Sequence, residues 1–350
     1  MDDVARLPPK DRSQLFAAVA GQRGLLPEII EKDFWVCWTL KRLFSLPDLP
    51  AGLIFKGGTS LSKVFHAIER FSEDVDLSFD RADLGFGGGN DPVVATTGKK
   101  RRQQVDALVA ECRRVIQGEF RTRLMAAITE QLGDPAAADW QLELDAHDLD
   151  GQTLLFRYPV AIAARDRDLG YIRPFVRLEF GARAEHWPKQ EGTVASYAAE
   201  AFPNVFREPS CRVHVLSAER TFWEKATLLH AWYHTPSHKK FRDRQSRHYY
   251  DVVRLYEQGI GQRAMTDLTL LQQVAQHKSV FFALASARYE EAKPGTLHLA
   301  PSEARIPELE EDYRKMREMI FGDVPSFDHL ITTLAEIEAA INSPKENGAI

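Results

Sequence analysis

The block FKGGTSLSKVFHAIERFSEDVDLSFD, Phe55 to Asp80, restricts the possible folds more than any other stretch of the chain. It reads strand, glycine turn, helix, strand in that order. Leu53–Phe55 is a short apolar run stopped by Gly57-Gly58, the pattern of a buried strand that ends in a turn. Leu61, Val64, Phe65 and Ile68 follow at i, i+3, i+4 and i+7, which predicts a helix with one buried face. Val75–Phe79 then alternates as a strand does. Successive strand side chains point to opposite faces, so Asp74, Asp76 and Ser78 line one side and Val75, Leu77 and Phe79 the other. Two carboxylates held side by side repel unless something positive lies between them. A divalent cation with oxygen ligands meets that need, and magnesium with a triphosphate is the commonest case. At the turn, glycine lets the backbone approach a ligand closely, and the helix start offers unpaired amides to a phosphate. Thr59 and Ser60 add hydroxyls. A Gly-Gly pair is commonly a plain turn and an Asp-x-Asp commonly a surface loop. The information lies in their conjunction, thirteen residues apart between Ser60 and Asp74, over an apolar strand face. No GxxxxGK[ST] phosphate loop is present.

The remaining pattern places this block in a mixed lobe. Pro27 suits a first helical turn, and Ile29, Ile30, Phe34, Cys37, Trp38 and Phe44 recur at helical spacing. The segment GFGGGNDP, Gly85 to Pro92, reads as loop, and a long helix is expected from about Lys99 to Leu132. Leu142–Leu144, Leu154–Val160 and Phe175–Phe180 are strand candidates. From about Ala218 helical spacing dominates to a frayed tail at Pro344 onward. For 350 residues two lobes are the natural expectation. The reading is therefore an α/β (α+β) lobe over 1–210, with helices at its N-terminus, and an α-helical lobe over 211–350.

Cys37, Cys112 and Cys211 share no pair spacing, which argues against a zinc site or a disulfide framework and for a reducing compartment. The N-terminus lacks the apolar core of a signal peptide, and no run of 18 apolar residues occurs, so a soluble cytoplasmic protein is expected. The net charge of −5 does not advertise a nucleic-acid binder. Two basic runs stand against it: Lys99–Arg102, and His238, Lys239, Lys240, Arg242, Arg244 and Arg247. Such runs are more often solvated helix ends or loops than phosphate tracks.

The GGTSLSK…RFSEDVDL block resembles the AbiEii/AbiGii toxin family within the DNA polymerase β-like nucleotidyltransferases. EKDFWVCWTL (Glu31–Leu40), RPFVRLEFGAR (Arg173–Arg183), ERTFWEKATLLHAW (Glu219–Trp232) and SRHYYDVVRL (Ser246–Leu255) resemble further segments of one branch of that family, in family order. The resemblance implies a nucleotidyltransferase-fold mixed sheet with flanking helices. It assigns metal binding to Asp74 and Asp76, and nucleotide binding to Gly57, Gly58, Thr59 and Ser60. A third carboxylate on a neighbouring strand is usual there. Phe175, Arg177 and Glu179 share the polar face of FVRLEF, so Glu179 is the choice for a third catalytic and metal-binding acid. An ion pair with Arg177 or Arg183 is the bland alternative, and Asp145 in LELDAHD is the competing acid.

Lys225 lies between Phe222 and Leu229 on the inward face of its helix, where an ammonium needs an anion. By resemblance it is the motif lysine that contacts nucleotide phosphates, and Asp251 matches a functional aspartate of the last motif. On spacing alone Arg247 and Asp251 are an i, i+4 surface ion pair, with His248 on the same face. Lys32 and Asp33, in an otherwise apolar helix, read as structural braces.

The expectation is a Mg²⁺-dependent nucleotidyltransferase of the AbiEii toxin type, from type IV toxin–antitoxin and phage-defence systems. It would transfer a nucleotide from a nucleoside triphosphate to an acceptor, with the 3′ end of tRNA favoured by the resemblance. The antitoxins of the family are repressors that need not touch the toxin. The alternatives are a transferase acting on a small-molecule or protein hydroxyl, and a non-catalytic nucleotide-binding regulator.

Overall fold

The computed structural model describes residues 1–49, 51–162, 172–236, 238–239 and 243–343. The chain forms two compact units. One comprises Met1–Val64 and Ser72–Leu216, the other Phe65–Phe71 and the chain from Ser217 onward. The expected border at 210/211 falls at the first residues of a strand, Ser210–Leu216, which belongs wholly to the first unit.

The first unit is built on a seven-stranded mixed sheet. Its strands are β1 (Leu53–Lys56), β2 (Asp74–Phe79), β3 (Gln141–Leu144), β4 (Thr153–Arg157), β5 (Phe175–Glu179), β6 (Lys189–Ala195) and β7 (Ser210–Leu216). They lie in the order β3-β4-β5-β2-β1-β7-β6. β1 runs antiparallel to β2 and parallel to β7, while β2 runs parallel to β5. The expected strands are all present, with ends that differ by a few residues. β6 and β7 were not anticipated. β6 offers little apolar signal, its sequence being Lys-Gln-Glu-Gly-Thr-Val-Ala, and it forms because it pairs along the whole of β7.

The helix Pro27–Phe44 is buried on nearly all sides, and Trp35 stacks on Tyr158 and Trp38 on Phe156 at the sheet. On β2 and just past β5, Phe79 stacks on Phe180, with Phe120 edge-on to both. The expected 99–132 helix is two helices, Gly98–Val115 and Arg121–Leu132. They are joined across Gly118, whose ψ of −113° departs from helical geometry. The expected loop Gly85–Pro92 contains short helical turns, steadied by Arg81, which pairs with both Asp91 and Glu185.

The helix that starts at Gly57 ends at Lys63, so the expected run through Ile68 is not one helix. Its apolar spacing is real, but His66 adopts φ 49° and the chain passes at Phe65 into the second unit. There it lies against a distant segment: Phe71 N–H donates to Met319 O at 2.8 Å and Phe321 N–H to Glu69 O at 2.7 Å.

The second unit is helical, as expected, with helices at Ala218–Tyr233, Ser246–Glu257, Ile260–Thr266, Leu268–Phe281, Ile306–Met316 and Phe327–Asn342. The expected tail at Pro344 onward lies outside the described residues. Among the described residues no helix is long and apolar enough to cross a membrane.

Candidate active site

The acids sit where two strands meet in parallel register. Asp74 lies opposite Arg177 and Asp76 opposite Glu179, with the apolar partners Val75 and Leu178 between them on the other face. Both faces follow from alternation: Val75, Leu77, Val176 and Leu178 are buried, whereas Asp74, Asp76, Arg177 and Glu179 are half-buried. Partial burial, and then the charges of Asp76 and Asp74, push the Glu179 carboxyl up to about 7, against the opposing pull of Arg177 and Lys56. Arg177 contacts Glu179 at 2.8 Å and Asp145 at 3.1 Å. The ion pair expected as the bland role of Glu179 is therefore present, alongside its proximity to the aspartates.

Asp145 is placed differently. It follows β3, separated from β2 by two intervening strands, and its Oδ1 accepts the His147 N–H at 2.9 Å in a tight turn. Adjacent strands lie about 4.8 Å apart, so β3 lies roughly 14 Å from the strand that carries Asp76.

Gly57 closes the other side of the acidic pair. It opens the Gly57–Lys63 helix at φ 80°, and a Cβ there would fall 1.9 Å from Asp76 Oδ2. Only glycine can bring the turn this close to the acid. Thr59 and Ser60 are fully buried, and their hydroxyls serve the backbone: Thr59 donates to Asp74 O, and Ser60 donates to Gly57 O at 2.8 Å. The two hydroxyls thus fix the turn against the start of β2. Lys56, opposite Asp76 in the β1–β2 register, is a cation beside the acids that sequence reasoning passed over. Its place at the end of the apolar run was the available signal.

Asp74, Asp76 and Glu179 supply hard oxygen donors in excess of the adjacent positive charge, beside a glycine where any side chain would fill the space. That donor set fits a divalent cation. Among the described residues no three His, Cys, Asp or Glu side chains already converge at metal-ligating distance, so strand register aligns the acids without closing them around a point.

In the second unit Lys225 and Asp251 form a separate cluster. Lys225 is buried on its helix, as its spacing indicated, and its Nζ lies 2.8 Å from Asp251 Oδ2. Asp251 is fully buried and so is no member of a surface pair. Its carboxylate takes a two-pronged contact from Arg70, at 2.7 and 2.8 Å. Burial opposes ionisation of Asp251, but Arg70 and Lys225 outweigh it and hold the carboxyl well below its ordinary range. His248 Nδ1 lies 3.4 Å from Lys225 Nζ, and burial, together with the cations Lys225 and Arg247, keeps the ring neutral at ordinary pH. Arg70 was not singled out from sequence, because its partner is 181 residues away and no local spacing links them. Of the second basic run, Lys240 and Arg242 lie outside the described residues.

Three comparisons with known proteins bear on this arrangement. The family model for the nucleotidyl transferase AbiEii toxin of type IV toxin–antitoxin systems matches residues 38–333. No curated protein matches the chain. Among solved structures, the fold is similar to that of MenT4, the nucleotidyltransferase toxin Rv2826c from Mycobacterium tuberculosis H37Rv. The TM-score is 0.50 and the identity 14%, over 96% of this chain and 91% of that one. The match spans both the acid-bearing strands and the Lys225–Asp251 helices, so the chain belongs to the AbiEii family of nucleotidyltransferase toxins of type IV toxin–antitoxin systems.

Proposed function

We propose that this nucleotidyltransferase moves a nucleoside monophosphate from a nucleoside triphosphate to an RNA hydroxyl, with the 3′ end of tRNA as the favoured acceptor. The single observation that carries the reading is the β2–β5 register, which sets Asp76 opposite Glu179 with Gly57 against Asp76. Asp74, Asp76 and Glu179 would hold Mg²⁺ through carboxylate oxygens. When bound, the ion neutralises the charge that builds on the transferred phosphoryl and the pyrophosphate leaving group.

The chain's own groups do the rest by position and charge. Glu179, opposite Asp76, would either complete the cation site or take the proton of the acceptor hydroxyl. Gly57 and Gly58, followed by Thr59 and Ser60, present a helix start with free amides toward phosphate oxygens, while the two hydroxyls hold that turn rigid. Lys225 contributes positive charge to the triphosphate, and Asp251 orients its ammonium. Toxicity would follow from acceptor modification in the cytoplasm, where it would also serve phage defence. The cognate antitoxin then needs no docking surface on this chain.

The test is incubation with each α-labelled nucleoside triphosphate, Mg²⁺ and total RNA, followed by sizing of the labelled product. Label in tRNA-sized RNA is the expected result. Label that appears only on small molecules or protein would replace the RNA acceptor. Absence of pyrophosphate release with every acceptor would sink the proposal.

A further inference from the structure

The triplet Glu31-Lys32-Asp33 is buried in the helix Pro27–Phe44, where three successive charges need specific partners to be tolerated. Each has them, and the partners come from several segments of the site's frame. Glu31 accepts the amides of Ala161, at 2.6 Å, and Ile162, at 3.1 Å. Asp33 pairs with Lys63, at the end of the helix that begins at Gly57, at 2.7 Å, and accepts the Tyr197 amide at 2.6 Å. Lys32, between them, donates to the carbonyl of Arg173 at 2.9 Å and to that of Phe175, and pairs with Glu73 at 3.1 Å.

The Lys32 contacts have a consequence for the acids. Phe175 is the first residue of β5, and Glu73 immediately precedes Asp74, the first residue of β2. One buried ammonium thus grips the leading ends of the two strands that carry Asp74, Asp76 and Glu179. Parallel strands can slide past one another, and a shift of a single residue would turn Glu179 to the wrong face. A lysine is suited to this grip, since its compact ammonium offers three donors and here meets three oxygens. An apolar residue would fill the same volume without linking the strands.

We propose that Lys32 is a positioning residue for nucleotidyl transfer, fixing the stagger of β2 against β5 and with it the placement of Asp76 relative to Glu179. The inference rests on the reading of these acids as a divalent-cation site. Groups behind a metal site are commonly worth about 10–100-fold in affinity.

The test uses full-length Lys32→Met/Glu73→Gln, which removes both charges of the pair and so leaves the net charge beside the acids unchanged. Glu73→Gln alone removes one charge but keeps an acceptor oxygen for Lys32 at the head of β2, and so keeps the tie between the two strands. Mn²⁺ affinity without nucleotide is measured for both and for the wild type, with hydrogen exchange of the Val176–Glu179 amides as a readout that needs no metal. The double variant is expected to melt cooperatively, bind Mn²⁺ about tenfold more weakly and exchange faster along β5. Glu73→Gln is expected to stay within about twofold of wild type on both readouts, because its amide oxygen still accepts from Lys32. Wild-type Mn²⁺ affinity together with wild-type exchange in the folded double variant would overturn the inference, and so would an equal loss in Glu73→Gln. Should the double variant not fold, Lys32→Gln keeps a shorter donor and must show the same changes in weaker form. If the wild type takes up no Mn²⁺, the cation site itself fails, while the exchange comparison still decides what Lys32 does.

Discussion

At Glu179 the structure sets a carboxyl near two others, and pH should expose it. The folded group keeps its proton up to about 7, whereas an ordinary glutamate releases it at 4.5. The proton is therefore held more tightly by the folded chain, and this group favours folding at low pH. Its contribution is lost as pH rises from 4.5 toward 7, in the absence of a cation. The metal-free wild type is expected to lose melting temperature across that window relative to Glu179→Gln. In saturating Mg²⁺, Glu179→Gln should lower turnover while barely changing triphosphate binding, because it keeps the shape of the side chain and removes its charge. Wild-type turnover in Glu179→Gln, beside an inactive Asp145→Asn, would move the role to Asp145. Asp74→Ala or Asp76→Ala should cut turnover about a hundredfold or more with the fold intact, as loss of charge stabilisation at a reacting phosphoryl does. Near-wild-type rates in saturating Mg²⁺ would dismiss the acidic pair. Lys225 has two roles to separate. Its buried pair with Asp251 and Arg70 means that Lys225→Ala should destabilise the protein, by about 3–5 kcal/mol for a broken buried pair. If it also serves the triphosphate, affinity and turnover must fall at temperatures where the variant remains folded. Normal affinity there would leave Lys225 a structural residue only.

Among the elements, the glycine turn is the most constrained. Gly57→Ala should act twice: the left-handed backbone costs about 1–2 kcal/mol for a side chain, and the new methyl must displace Asp76. Gly85→Ala separates the two effects, because Gly85 has a similar φ of 87° with nothing within 4 Å of the added carbon. Both variants should lose stability, but only Gly57→Ala should lose Mn²⁺ affinity and turnover. Equal activity in the two would show that the close approach to Asp76 has no part in the reaction. The hydroxyls of Thr59 and Ser60 belong to the same argument, since each is spent on a backbone carbonyl.

For the whole molecule, charge decides how an RNA acceptor could be met. A net −5 opposes a polyanion, so any approach must use local positive surface. Lys99, Lys100 and Arg102 are exposed and Arg101 half-buried in the first turn of the Gly98–Val115 helix. The second run offers Lys239, Lys240, Arg242 and Arg244 as its central cations. Replacing the second four by glutamine should weaken RNA binding and flatten its salt dependence, because fewer counterions are released. Triphosphate affinity should be unchanged. The same exchange at 99–102 is the comparison. Identical salt curves for wild type and the 239–244 variant would remove that run from acceptor binding, and a change only at 99–102 would transfer the role there.

Local pattern carried much of this protein. Alternation in DVDLSF and FVRLEF is a property of the strand itself, so the faces of Asp74, Asp76 and Glu179 were legible before any fold was known. The same holds for the inward side of Lys225, which helical spacing sets, and for the change from mixed to helical lobe. The family segments were legible because they lie along the chain in order. What local pattern could not carry was pairing. That β5 lies beside β2 while two strands stand between β2 and the one that Asp145 follows is decided by sheet order, which hydrogen bonding between distant segments selects. β6 exists through β7 and has little strand signal of its own. The periodic run through Ile68 broke because the chain leaves one unit for the other after Val64, a demand of packing that outweighs helical spacing. Asp251 looked like half of a surface pair because i, i+4 geometry is all a sequence displays. Its true partner, Arg70, is brought to it only by tertiary folding, since a charge buried far from water must find its counter-charge wherever the chain supplies one.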